Sequence, residues 1–294
     1  MNWDKMAEKQ AQLVTFAATD GAVLHGALYA AKDLSRNSNS AVLFLHGAGS
    51  NFYGSAFSTE LVPELTGCGS AVFSINTRGH DLACTFRTKD GARRGGAAYE
   101  IVDECRHDIR GAVDWLAGEG FQNVVLLGHS LGALKAIYSQ ARDPHAAVSH
   151  VVAISPPRLS YAAFCQGPRR RDFLQTMSRA EQLVAAGEGE HLLEVNIPLS
   201  LLICAAGYVD KYGPAERYNL LNFAEDVTNP LLILLGEQEV SSDSAAFGGL
   251  DAILRGIRFK SDDVDIRVIA GADHFYRGAT DALATSILSW LGWK

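Results

Sequence analysis

Short, unbroken apolar runs recur along this chain, and most are followed by a stretch with helical spacing. Such runs cover residues 41–45, 124–127 and 230–235, and the segments 70–76, 148–154 and 265–269, each interrupted by polar residues, read as further strands. A strand covered on both faces has no reason to alternate polar and apolar side chains, so these runs predict strands of a sheet buried on both sides. Helical spacing occurs at 57–66, at Ile101, Val102, Cys105, Ile109, Val113 and Leu116, and again at 133–142, 244–255 and 280–290. The second of these closes at Gly118 and Gly120, residues that stop helices. Segments 12–18 and 23–31 flank Thr19-Asp20-Gly21 and predict an opening hairpin. Strands alternating with helices predict an α/β fold, a doubly wound, mostly parallel sheet of about eight strands. The stretches 33–40 and 82–96 carry no clear period and are expected to be loops.

The alternation breaks after Pro157. Residues 158–227 show mostly helical patterning, and the run 199–206 within them suits a strand or a buried helix equally. The expected organisation is therefore a core of residues 1–157 and 228–294, with 158–227 inserted as a small helical lid. An insertion between successive strands on that side must sit over the carboxyl edge of the sheet.

The chain has 294 residues, 48% hydrophobic and 20% charged, which suits one large core with a small appendage. A formal net charge of −7 argues against a nucleic-acid binder, which needs a basic face. Arg169-Arg170-Arg171 is a basic run, but acidic residues outnumber basic ones between 158 and 226, so a solvated face is expected. The five cysteines (68, 84, 105, 165 and 204) are odd in number and never spaced Cys-x-x-Cys. Reduced, buried thiols in a cytoplasmic protein are the expectation. Residues 1–12 are polar and lack the apolar stretch of a secretory signal, and no run is long enough for a membrane span. No ligand cluster or glycine-rich phosphate loop suggests a metal or an organic cofactor.

The candidate chemistry lies where strands end. The run 124–127 leads into Gly128-His129-Ser130-Leu131-Gly132 and then directly into helical spacing. A strand that turns into a helix within one or two residues holds its corner residue in a cramped conformation. Glycines two before and two after remove the side chains that would collide there. The serine hydroxyl then stands clear of the sheet at a helix N-terminus, whose free N–H groups favour negative charge. Serine is a poor nucleophile alone; it needs a base to take its proton and a third group to orient that base. Two further strand ends on the same edge supply these types, Gly236-Glu237-Gln238-Glu239 and Gly271-Ala272-Asp273-His274. Ser130, Glu239 and His274 are thus a candidate triad in the order serine, acid, histidine. Asp243 is the alternative acid; Glu237 and Asp243 otherwise read as solvated charges. The strand 148–154 ends Ser155-Pro156-Pro157 and offers no carboxylate. His46 and His129 are read as structural, His46 by ordering its loop, and Arg78 as a loop anchor paired to a carboxylate.

In these motifs and their order the sequence resembles the serine-nucleophile branch of the α/β-hydrolase family, of carboxylesterase type. The resemblance rests on His46-Gly47, the elbow at 128–132 and the strand ends carrying Glu239 and His274, and it covers nearly the whole chain. Ser130 at the corner sets it apart from the aspartate-nucleophile branches. The resemblance implies acyl transfer to water: Ser130 attacks, His274 takes and returns the proton, and Glu239 fixes the imidazole. It also implies an oxyanion hole of backbone N–H groups, one from Leu131 and one from the loop after His46-Gly47, with Ala48 first and Gly49 next. No cofactor or metal takes part, and the partner is a small or medium-sized ester. A thioesterase, lactonase, peracid-forming enzyme or acyltransferase uses the same triad. A ligand-binding protein on this fold would lack a triad member, and none is missing here.

Overall fold

The computed structural model describes residues 10–32, 39–54 and 56–293. The polar segments expected at 1–12 and 33–40 lie outside the described residues except at 10–12, 39 and 40. β1 (Gln12–Ala17) and β2 (Val23–Tyr29) form the expected antiparallel hairpin. β3 (Ser40–Leu45), α1 (Ala56–Gly67) and β4 (Ala71–Ile75) follow. The stretch expected to be an irregular loop instead folds as a second hairpin, β5 (Cys84–Thr88) and β6 (Gly91–Gly95). Of its strand residues Phe86 and Gly95 alone are buried, so no hydrophobic period announces it. Then come α2 (Cys105–Gly118), β7 (Asn123–His129), α3 (Leu131–Arg142) and β8 (Val148–Ile154).

Between residues 158 and 227 lie α4 (Tyr161–Gln166), α5 (Arg170–Ala185), the antiparallel pair β9 (Leu192–Val195) and β10 (Leu201–Cys204), and α6 (Ala205–Tyr212). The run left open at 199–206 is both things: a strand to Cys204 and a helix from Ala205. This segment is therefore not purely helical. The rings of Phe164 and Phe173 lie 5.2 Å apart, and those of Tyr208 and Tyr212 5.1 Å apart, in an aromatic cluster continuous with the main core. The chain closes with β11 (Leu231–Gly236), α7 (Glu237–Val240), α8 (Leu250–Arg255), β12 (Val264–Ile269) and α9 (Thr280–Trp290). The helix expected over 244–255 is shorter, because Gly248 and Gly249 precede it and Gly249 takes φ 62°, a left-handed turn.

The main sheet has ten strands in the order β12-β11-β8-β7-β3-β4-β2-β5-β6, with β1 paired to β2. From β12 to β4 every pairing is parallel. The fold class is the expected one; the β5–β6 hairpin extends the sheet beyond about eight strands. Alternate residues of a single strand serve opposite faces. Ala41, Leu43 and Leu45 pack with Val113 of α2 and Ile137 of α3, whereas Val42 and Phe44 pack with Leu61 of α1 and Leu283 of α9. Both faces are dry, which is why β3 reads as an unbroken apolar run. The carboxyl ends of β3, β4, β7, β8, β11 and β12 consequently open onto one rim. Among the described residues no helix is long and apolar enough to cross a membrane, and no disulfide joins the cysteines.

Candidate active site

At the end of β7 the chain turns within one residue. Ser130 has φ 56° and ψ −124°, and α3 begins at Leu131. Such a conformation costs a non-glycine residue on the order of 1–3 kcal/mol, and the elbow keeps it by close packing. A Cβ on Gly128 would lie 2.3 Å from Gly132 O, and one on Gly132 would lie 2.3 Å from Leu45 O. The Ser130 N–H donates to Ile154 O at 2.8 Å, which pins the corner to the neighbouring strand. The first backbone bonds of α3 run from the Ala133 and Leu134 N–H groups to Ser130 O. The Leu131 N–H therefore stands ahead of the helical ladder.

His274 sits beyond β12 and Glu239 in α7, and both reach Ser130's rim. His274 Nε2 lies 3.1 Å from Ser130 Oγ, and Nδ1 lies 2.5 Å from Glu239 Oε1. The carboxylate only accepts, so Nδ1 carries the ring proton and Nε2 faces the hydroxyl with its lone pair. The Glu239 side chain is 5% exposed and that of His274 27%. The second carboxylate oxygen accepts from the Gly236 N–H at 2.8 Å and from Ser155 Oγ at 2.5 Å. Ser155 Oγ is in turn 3.1 Å from the hydroxyl of fully buried Tyr276. Asp243 is exposed on the loop after α7, and the carboxylate at His274 belongs to Glu239. Glu237 is exposed but not idle; it accepts from the Gly271 N–H at 2.7 Å and steadies the loop before His274.

Ser155 and Tyr276 are supporting residues that no motif in the sequence marks. Both are non-glycine residues with positive φ, 50° and 53°, at the ends of segments that face Glu239. Ser155 carries a hydroxyl rather than an acid, and its type alone does not mark it as a partner of the triad acid. His129 is structural, as expected, and its task is specific. Its Nε2–H donates to the His274 carbonyl at 2.8 Å while its ring stacks on Phe57 with centroids 4.0 Å apart. Burial, and then the neighbouring His274, push the His129 pKa down to about 3, so the ring stays neutral.

The third edge of the rim is the loop after β3. A Cβ on Gly47 would lie 3.3 Å from Ser130 Cβ, which brings the Gly47–Ala48 peptide beside the serine. His46 orders this loop: Nδ1 donates to Gly47 O at 2.8 Å, and Nε2 accepts from the Thr77 N–H at 3.1 Å. Arg78 is anchored as expected, though by three carboxylates. Its Nε and Nη2 reach Asp108 at 2.9 and 2.7 Å, and Nη1 reaches Asp20 and Glu104 at 2.9 and 3.0 Å. Asp81 takes φ 57° and accepts from Asn51 and Tyr53, tying the loop after β4 to the loop after β3. Arg169, Arg170 and Arg171 are exposed.

A cavity of about 190 Å³ opens between Phe164, Arg169, Ile197 and Pro198 of the inserted segment and the loop at Ala245 and Ala246. The next residue of that loop, Phe247, has its ring 5.1 Å from that of His274.

The profile of the Alpha/beta hydrolase family matches residues 42–285, a span that holds Ser130, Glu239 and His274. The chain belongs to this family. A comparison with curated protein sequences finds no match. Among solved structures, this hydrolase is similar to an esterase from Pyrococcus furiosus at 18% identity. The match covers 99% of this chain and 94% of that one, with a TM-score of 0.64. It is also similar to Est1E from Butyrivibrio proteoclasticus, solved with ferulic acid bound, at 16% identity, 95% and 100% coverage and a TM-score of 0.63. A soluble variant of monoglyceride lipase from Saccharomyces cerevisiae, in complex with a substrate analog, matches at 15% identity, 98% and 96% coverage and a TM-score of 0.67.

Proposed function

We propose that this hydrolase cleaves a carboxylic ester of small or medium size through an acyl-enzyme intermediate on Ser130. The observation that carries the reading is the continuous hydrogen-bond line from Ser130 Oγ to His274 Nε2 at 3.1 Å and from Nδ1 to Glu239 at 2.5 Å. His274 takes the hydroxyl proton as Oγ attacks the ester carbonyl, and Glu239 stabilises the imidazolium that forms. The oxyanion develops between the Leu131 and Ala48 N–H groups, donors whose loss each costs about 100- to 1,000-fold in rate. His274 then protonates the leaving alcohol, and water repeats the sequence to release the acid. The segment 158–227 acts as the lid, and one side of the ester seats in the cavity beneath Phe164 and Ile197. That volume suits a single ring or a short chain, since an engineered apolar cavity of about 150 Å³ holds a benzene. The names of the three similar structures, an esterase, a ferulic-acid binder and a monoglyceride lipase, lend the ester class support.

The test is an alkyl fluorophosphonate together with a panel of p-nitrophenyl esters, thioesters and lactones. Wild-type protein is expected to gain the phosphonyl mass on Ser130 and to turn over short acyl or aryl esters best. Ser130→Ala should lose both while melting as the wild type does. A correctly folded protein that forms no adduct and turns over no member of the panel overturns the reading.

A further inference from the structure

A buried ion cluster outside the triad uses a lysine from the inserted segment. Glu100 is 2% exposed, Lys135 of α3 1% and Lys211 of α6 3%. Glu100 receives Lys211 Nζ on Oε2 at 3.0 Å and Lys135 Nζ on Oε1. The carboxylate lies tight against the loop after β4, where a Cβ on Gly79 would fall 1.8 Å from its Oε1. Lys135 also donates to Thr77 Oγ1 at 3.2 Å, and Thr77 Oγ1 lies 3.1 Å from His46 Nε2. His46 Nδ1 in turn donates to Gly47 O. Every link has a defined direction: ammonium to hydroxyl, hydroxyl to imidazole, imidazole to carbonyl. Chains of this kind polarise one another in a dry interior.

The last link matters for chemistry. Gly47 O and the Ala48 N–H belong to one planar trans peptide and point in opposite directions. Whatever holds Gly47 O therefore aims the Ala48 N–H. We propose that Lys211, through Glu100, Lys135, Thr77 and His46, is a positioning residue for the Ala48 oxyanion donor, so that the seat of the inserted segment sets the aim of the oxyanion hole. The proposal rests on the reading of Ser130 as the nucleophile. His46 can hold its place only while neutral, because Nε2 must accept from Thr77. Burial, and then the Lys135 ammonium, keep it so by pushing its pKa down to about 3.

Lys211→Met tests this, since Glu100 keeps Lys135 as its counter-ion. The variant should lose about tenfold in kcat with KM held within about twofold, a fraction of what removing a whole oxyanion donor costs. Its affinity for a trifluoromethyl ketone, whose hemiketal adduct with Ser130 carries an oxyanion, should fall in parallel. The His46 ring nitrogens, read by ¹⁵N NMR, should shift although Lys211 does not touch that ring. Thr77→Val cuts the same chain at its other end and serves if Lys211→Met does not fold. The double variant should be no worse than the more impaired single one, because both break one line. Full kcat and full ketone affinity in Lys211→Met, or losses that multiply in the double variant, overturn the proposal. A wild type without fluorophosphonate adduct or turnover instead overturns the nucleophile assignment. In that case the His46 resonances alone decide, and unshifted nitrogens in Lys211→Met reject the chain.

Discussion

Glu239 divides its two oxygens between separate tasks, one for His274 and the other for Gly236 and Ser155. All three partners donate. An amide in this place must turn its NH₂ towards one of them, so Glu239→Gln either meets the Ser155 and Gly236 donors or flips the His274 tautomer. We expect kcat to fall by roughly 10⁴, the scale set by a comparable acid-to-amide change in another triad, with KM little altered. Steady-state kinetics on the best ester of the panel checks it. Ser155→Ala removes one of the two donors that hold the distal oxygen but leaves the imidazole its acceptor. Leaving such a buried charge short of a bond costs about 1–3 kcal/mol. The expected outcome is a fall of about tenfold in kcat, against the far larger loss in Glu239→Gln; equal losses in the two variants would contradict this division of labour. At this scale the sequence disclosed groups that carry chemistry by type: a serine at a corner, an acid and an imidazole at strand ends. It did not disclose Ser155 or Tyr276, whose value lies in where a hydroxyl points.

The elbow shows how much an element owes to residues without side chains. Gly132 approaches Leu45 O so closely that an added methyl would meet backbone, which cannot rotate away. Gly132→Ala should destabilise by about 3 kcal/mol. In a chain of this size that lowers Tm by roughly 6–12 °C. Gly118→Ala, where nothing lies within 4 Å, is the control and should be neutral or gain up to about 1 kcal/mol. Calorimetry on the two variants separates a packing demand from a general dislike of substituting glycine. Elements were legible where burial imposed a period. β3, β7 and β11 are dry on both faces and read as unbroken apolar runs. The β5–β6 hairpin was not legible, because its residues Arg87, Arg93 and Arg94 face solvent and follow no hydrophobic alternation. The helix expected over 244–255 differs in the opposite way: apolar spacing continues through Gly248 and Gly249, and the helical backbone does not.

Over the whole molecule, two buried rings make the fold sensitive to mild acid. His46 and His129 sit at two strand ends of the rim, and burial pushes both pKa values down to about 3. Half-buried His150 is shifted in the same direction by burial. In the unfolded chain a histidine takes its proton near pH 6.5. Between those values the unfolded state binds more protons, so stability is fully present above about pH 6.5 and is lost as the pH falls towards 3. Each fully shifted ring contributes a slope of up to about 1.4 kcal/mol per pH unit. In the window from pH 6.5 to 5 the paired Glu100, held down to about 2 by its two lysines, does not add to the slope, because it contributes only as the unfolded carboxylate titrates below that range; Asp108, which burial pushes up, acts in the opposite sense. Urea unfolding across that window should show the midpoint falling steadily with acid. His129→Gln retains an N–H donor for the His274 carbonyl but cannot titrate, and it should remove about one ring's share of the slope. A wild-type midpoint that stays level from pH 6.5 to 5 would mean that these rings are protonated in the folded protein. Below about pH 6.5 His46 could not then accept from Thr77, and the link that aims the Ala48 N–H would be broken in that range.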